Sequence, residues 1–313
     1  MLFFIAKRIA SGVVLLAAIS LVAFSLLFAG GDDVARRILG PTAPQATVET
    51  KASQLGLDRP LWDQYVDWLS HAVTGDLGIS WFTGEHVSTS IGSRIAVTLS
   101  IIVGATVITA VAAVLLGVTA ALRRGWIDRA VQAISFLGFA VPGFLVALAL
   151  VVVFAINLGW FKPTGYIPLA DSPVKWASTV TLPVIALSIA GIAGVAQQVR
   201  SSVIDALERD YVRTLRSRGL SMNRVVFKHV LRNAGGPALS VLALQFIGLL
   251  GGAVIIEQIF AIPGLGQVAV SSTTKGDTPL VMGLVLATAI IVVVVNLLID
   301  LLQAWLNPKV RLS

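Results

Sequence analysis

Apolar residues gather in six blocks, from about Ile9 to Phe28, Val97 to Leu122, Val131 to Ile156, Leu182 to Val199, Pro237 to Ile256 and Leu280 to Leu302. A bilayer core of about 30 Å is crossed by roughly 20 apolar residues in a helix. Each block is therefore read as one transmembrane helix, giving an all-α integral membrane fold of six spans. Helices are the expected form because backbone groups in lipid must be satisfied within the segment. A membrane barrel needs short alternating strands instead, and that pattern is missing from the sequence.

The connectors are unequal, and two carry patterns of their own. From Gly30 to Ile95 the chain is polar but holds Leu61, Trp62, Tyr65, Val66, Trp68 and Leu69 at spacings near three and four. This predicts an amphipathic helix, with Pro60 suited to its first turn. Two readings of that helix stand side by side: it lies at the membrane interface, where Trp and Tyr accumulate, or it docks an extracytoplasmic partner. The other patterned connector runs from Arg200 to Asn233. Val203, Leu207, Tyr211 and Leu215 recur every fourth residue as one stripe, while Asp205, Arg209, Arg213 and Arg216 take another face. Gly219 reads as a helix-ending glycine, and Ser221 as the cap of a second helix through Phe227, Val230 and Leu231. The segment is expected to be helix, glycine turn, helix. By pattern alone it suits either a basic helix on anionic lipid or a lever in a partner's groove.

Charge then orients the spans. Fifteen of the 23 Lys and Arg residues fall on one set of alternate connectors: Lys7 and Arg8, the Arg123–Arg129 segment, Arg200 to Arg232, and Lys309 with Arg311. The long Gly30–Ile95 loop carries acids such as Asp32, Asp33, Asp58 and Asp76. The positive-inside rule therefore predicts that both termini are cytoplasmic and that residues about 30–95 lie outside. Over 313 residues, 56% are hydrophobic and 12% charged, with a mean hydropathy of +0.89. A soluble domain carries about 25% charged residues, so the net charge of +7 reflects membrane topology rather than nucleic-acid binding. There is no cysteine, which excludes disulfides, thiolate nucleophiles and Cys-based metal sites. The first apolar run exceeds the 7–15 residues of a signal peptide's core, so a retained first helix is expected.

Asp210-Tyr211-Val212-Arg213-Thr214-Leu215-Arg216-Ser217-Arg218-Gly219-Leu220, followed by His229-Val230-Leu231-Arg232-Asn233-Ala234, closely resembles the EAA loop of ABC importer permeases, in particular the dipeptide/oligopeptide/nickel branch. That branch usually has alanine where Leu215 stands. Further similar stretches follow in order: Leu55–Leu61 and Gly75–Ser80, Ala140–Phe144 and Leu158–Phe161, Thr181-Leu182-Pro183 opening the fourth helix, Glu257–Gly266, and Asn307–Arg311. The resemblance implies a type I ABC importer permease fold, as a single permease domain over residues 1–313. It implies a subunit in the cell (inner) membrane that translocates di- or oligopeptides, or alternatively nickel or another small solute. The implied partners are a second homologous permease, two ATPase subunits that bind ATP and Mg, and an extracytoplasmic substrate-binding protein. ATPase coupling would fall to Asp210, Tyr211, Arg213, Leu215, Arg216 and Gly219, with Tyr211 and Leu215 as apolar anchors in the ATPase groove.

Other chemistry is sparse. No Gly-x-x-x-x-Gly-Lys-Ser/Thr phosphate loop occurs, so this chain is expected to hydrolyse no ATP itself and to need no cofactor of its own. His71, His86 and His229 lie far apart in sequence without a His-Glu-x-x-His pattern, and no metal site is expected. A proton-driven secondary transporter needs ionisable groups near the midplane, whereas Asp300 falls near a span end. Gln245 either faces the pathway or bonds a neighbouring helix. Gly248 and Gly252 form a small-xxx-small pair for close helix packing, and Pro142 and Pro183 mark kinks or helix starts.

Overall fold

The computed structural model describes residues 2–28 and 34–306, so Asp32, Asp33 and the Asn307–Arg311 ending lie outside the described residues. The described residues are mainly helical: α1 (Leu2–Phe28), α2 (Val34–Leu39), α3 (Gln45–Gln54), α4 (Leu61–Val73), α5 (Val87–Leu122), α6 (Trp126–Ala140), α7 (Gly143–Leu150), α8 (Pro173–Leu207), α9 (Asp210–Ser217), α10 (Met222–Val225), α11 (Leu231–Ile259), α12 (Leu265–Lys275) and α13 (Thr278–Leu306). Wider π-helical turns extend α7 over Val151–Asn157 and join α10 to α11 over Val226–Val230.

Among the described residues, five helices are long and apolar enough to cross a membrane: Ile5–Leu27, Val87–Leu122, Pro173–Leu207, Met222–Ile259 and Thr278–Leu306. The predicted third span is broken rather than continuous. Trp126–Ala140 and Gly143–Asn157 meet at a 95° bend, because Val141 is extended and Pro142 enters as the cap of α7 at ψ 134°. A residue before proline is pushed out of the helical region. Counted as one broken span, the pair brings the candidate crossings from five to six.

Two predicted boundaries are corrected. The fourth helix does not open at Thr181-Leu182-Pro183. It begins at Pro173, where the Ser172 side chain accepts a hydrogen bond from the Lys175 N–H, and it carries Pro183 within it. Pro183 lies in the buried stretch of α8, beside Leu182, Val184 and Leu187. The fifth span begins not at Pro237 but at Met222, again with the proline inside the helix.

The chain divides into two compact units, Leu2–Thr98 with Pro263–Val293, and Leu99–Ile262 with the chain from Val294. In the first unit, α4 rests on α1. The Tyr65 hydroxyl meets Ser20 Oγ at 2.9 Å, and Phe24 packs edge-on against the Tyr65 ring. A turn closed by pairing between Ile79 and His86 is held to the start of α13. The Ser80 hydroxyl and, at 3.2 Å, the Trp81 N–H both donate to the buried Asp277 carboxylate. Gly283 lets α13 approach α5, since a Cβ there would sit 2.3 Å from Val87.

In the second unit α8 is the hub, packed by α6, α7 and α11 and approached by α5 at Gly104 and Gly117. Small residues bring backbones together, as packing between membrane helices requires. A Cβ on Gly117 would meet the Ala196 carbonyl at 2.7 Å. The Ser188 hydroxyl lies 2.6 Å from the Val184 carbonyl of its own helix and 3.3 Å from that of Ala105. At the far end of α8, Arg200 grips Asp128 of α6 with two parallel hydrogen bonds, 2.5 and 2.6 Å, a fork that fixes orientation as well as contact.

Candidate functional site

The patterned connector begins as the tail of α8. The predicted four-residue stripe from Val203 to Leu215 is not one helix. α8 ends at Leu207, and Arg209 turns extended at ψ 145° before α9 starts at Asp210. The acid in the first turn of α9 favours a new helix start there, and Asp210 was the available sequence signal for the break. The predicted second helix is not separate either: it starts after Ser221, whose side chain makes no capping bond, and runs on into the fifth span.

The turn between them is closed by backbone. Gly219 is left-handed at φ +82°. Its N–H donates to the Arg216 carbonyl at 2.9 Å, and the Leu220 N–H donates to Leu215 at 3.3 Å. This is the Schellman arrangement, with the flanking apolar residues Leu215 and Leu220 packed against the same cluster.

α9 has two faces. Val212 is 3% exposed, and Tyr211 and Leu215 are half-buried against a cluster that includes Val203, Val225, Val226 and Val230. The Tyr211 hydroxyl accepts from Asn233 Nδ2 at 3.1 Å. The two residues expected to be anchors for a partner thus pack into the chain's own core, and their apolar surface holds α9 in place. The outward face carries Asp210, Arg213, Thr214, Arg216, Ser217 and Arg218, all exposed. The Asp210–Arg213 contact is long, 3.9 Å, and both side chains are more than 80% exposed, so it adds little. Beside this face a cavity of about 500 Å³ is lined by Ser202, Asp205, Arg209, Tyr211, Asn233 and Pro237, among others. The arrangement is an eight-residue helix, seated through Tyr211, Val212 and Leu215, that presents a polar, mainly basic surface.

Residues 113–312 match the family described as binding-protein-dependent transport system inner membrane component, and residues 1–102 match the N-terminal part of such membrane components. The chain belongs to this family. It is 37% identical over 308 residues to a putative peptide transport system permease protein of Brucella abortus (strain 2308), covering 98% of each chain. It is 35% identical to the oligopeptide transport system permease protein AppB of Bacillus subtilis (strain 168), covering 98% of this chain and 99% of that one. It is 36% identical to the glutathione transport system permease protein GsiC of Escherichia coli O6:H1, covering 99% of each. Among solved structures, the MetNI methionine ABC transporter in an inward-facing conformation matches 71% of this chain and 96% of its own, at a TM-score of 0.52 and 18% identity. That match establishes a shared fold. The chain is a multi-pass membrane permease subunit.

The remaining predicted positions of the permease separate. Gln245 packs on the fourth span: a Cβ on Gly191 would lie 3.0 Å from its Nε2. Gly252 faces Leu187, whose Cδ2 would stand 3.5 Å from an added Cβ, while around Gly248 nothing lies within 4 Å. The pair is therefore split between a contact within the chain and an open face. Pro142 is exposed at the bend. His71 and His86, distant in sequence, line one cavity of about 590 Å³ in the first unit together with Lys51, Arg59, Asp67 and Trp81, among others. No spacing rule signals that convergence; Ser80, which lines the same cavity, is tied to Asp277.

Proposed function

We propose that this permease carries peptides inward as one half of the channel of an ATP-driven importer, receiving them from an extracytoplasmic binding protein. The observation that carries the reading is full-length similarity to permeases named for peptide, oligopeptide and glutathione transport. ATP and Mg would be held by two partner ATPase subunits, and a second homologous permease would complete the pathway. The sequence has no phosphate loop of its own.

Within that assembly α9 is the contact to the ATPase, with both termini on its side of the membrane. Support comes from the basic outward face of α9 and from its rigid seating through Tyr211, Val212 and Leu215. A lever must be stiff to transmit displacement, and a Schellman-closed helix packed on the fourth and fifth spans satisfies that. Co-purification of the chain with its ATPases and peptide-loaded binding protein tests the reading. ATP hydrolysis should depend on the ATPases and rise with loaded binding protein. Hydrolysis by the chain alone, insensitive to both partners, would refute it.

A further inference from the structure

Helix α4 has three faces, and two of them have partners or solvent. Tyr65, Trp68 and Leu69 turn toward α1 and Met282, with ring centroids of Phe24 and Trp68 6.3 Å apart. Asp63, Gln64, Asp67, Ser70 and His71 form a polar flank, of which Gln64, Asp67 and His71 line the 590 Å³ cavity. The third face is apolar and uncovered: Trp62 is 61% exposed, Val66 45% and Val73 79%. These positions lie along one side of the helix, and half-buried Leu69 marks its border with the face packed on α1.

The height of α4 along α1 says what covers that face. The apolar span in α1 runs Ile5–Leu27, and the Tyr65 hydroxyl bonds Ser20 Oγ and reaches the Ala17 carbonyl at 3.4 Å. At 1.5 Å per residue, Ser20 lies about 10 Å below the Leu27 end of the span. The Phe24 contacts lie about 5 Å below it. So α4 sits beside the last three turns of a membrane helix, at the depth where interfacial helices bury an apolar face about 5–10 Å into the boundary between headgroups and acyl chains. Leu21, Val22 and Leu26 of α1, at the same level, are likewise apolar and uncovered within the chain. The polar flank on the other side supplies the second half of an interfacial helix, and Trp is a residue favoured at that boundary.

We propose that α4 is a membrane-surface anchor, with Trp62, Val66 and Val73 in the outer part of the bilayer leaflet and Asp67 and His71 toward water. The occupant of the apolar face is the lipid itself, not a soluble partner. Anchored this way, α4 holds the cavity-lining loops at a fixed height above the bilayer. This inference depends only on the chain spanning a membrane and is independent of cargo.

The sequence contains no cysteine, so single labels are clean. Nitroxides are placed by Val66→Cys, Val73→Cys and Ser70→Cys in the full chain, reconstituted in phosphatidylethanolamine–phosphatidylglycerol vesicles. Collision with oxygen, which concentrates in lipid, is compared with collision with a water-soluble nickel chelate. The labels at positions 66 and 73 should show an oxygen-to-nickel ratio several-fold above that at position 70. Nickel access at 66 and 73 equal to that at 70 would overturn the proposal in favour of a water-facing docking surface. Protection of 66 and 73 from both reagents would overturn it by showing that protein covers the face. Trp62→Cys gives a third position on the same face should either valine variant fail to insert.

Discussion

Replacing Gly219 by valine perturbs the proposed lever at one backbone position. The residue is left-handed, φ +82°, and an added Cβ would meet nothing within 4 Å. The penalty is therefore conformational rather than a clash: about 1–2 kcal/mol for a residue with a Cβ, and at or above the top of that range for a β-branched one. Since about 1.4 kcal/mol is a factor of ten in an equilibrium, the closed turn should lose roughly tenfold or more in population. Eight residues cannot hold a helix alone in water. α9 depends on its closure and on packing through Val212, and loosening the turn should let the Arg213 and Arg216 face wander. The penalty is small against the packing of the whole chain, so the complex should assemble at normal yield. In vesicles, peptide-stimulated ATP hydrolysis should fall and peptide uptake should fall further. Gly219→Asn, which tolerates the left-handed region, should retain most of both. Full uptake by an assembled Gly219→Val complex would show the turn to be a passive connector. Equal impairment by Asn and Val would show that side-chain bulk, not backbone conformation, matters there.

Three further outcomes are expected. Asp128→Asn or Arg200→Met should lower the thermal midpoint of the purified chain, and a double-mutant cycle should give a coupling on the order of 1–2 kcal/mol for this forked pair; additive effects would mean the bonds are not energetically linked. Gly117→Ala forces a Cβ to 2.7 Å from a carbonyl while Gly248→Ala meets nothing, so only the first should reduce thermal stability of the isolated chain, as read by a fluorescence melt. Asp277→Ala strands the buried Ser80 hydroxyl and the Trp81 N–H, costing about 1–3 kcal/mol per unsatisfied group, and proteolysis should then nick the 78–86 turn faster; an unchanged cleavage rate would show that the turn holds without its carboxylate clip.

Much of this was legible in the residues, and the exceptions share a cause. Apolar runs of about 20 residues locate the spans because lipid imposes a length. The Gly219 stop was legible because only a left-handed position singles out glycine so strongly. What escaped were boundaries set by tertiary packing. Pro183 and Pro237 read as helix starts by local rules, yet both sit inside helices. The stripe from Val203 to Leu215 keeps its four-residue period across a break at Arg209, so periodicity could not show it. Tyr211 and Leu215 looked like partner contacts because the apolar face of an amphipathic helix does not say whether its own chain covers it. The shared cavity of His71 and His86 is also lined by Ser80, in a turn held by a residue almost 200 positions away.

The most direct measurement is accumulation of a labelled dipeptide in vesicles holding the complete assembly, with ATP inside and binding protein outside. Accumulation above the external concentration should require ATP, the binding protein and this chain together, and should persist when the proton gradient is collapsed. Accumulation that continues without ATP or binding protein, or that stops when the gradient alone is removed, would contradict an ATP-driven peptide permease.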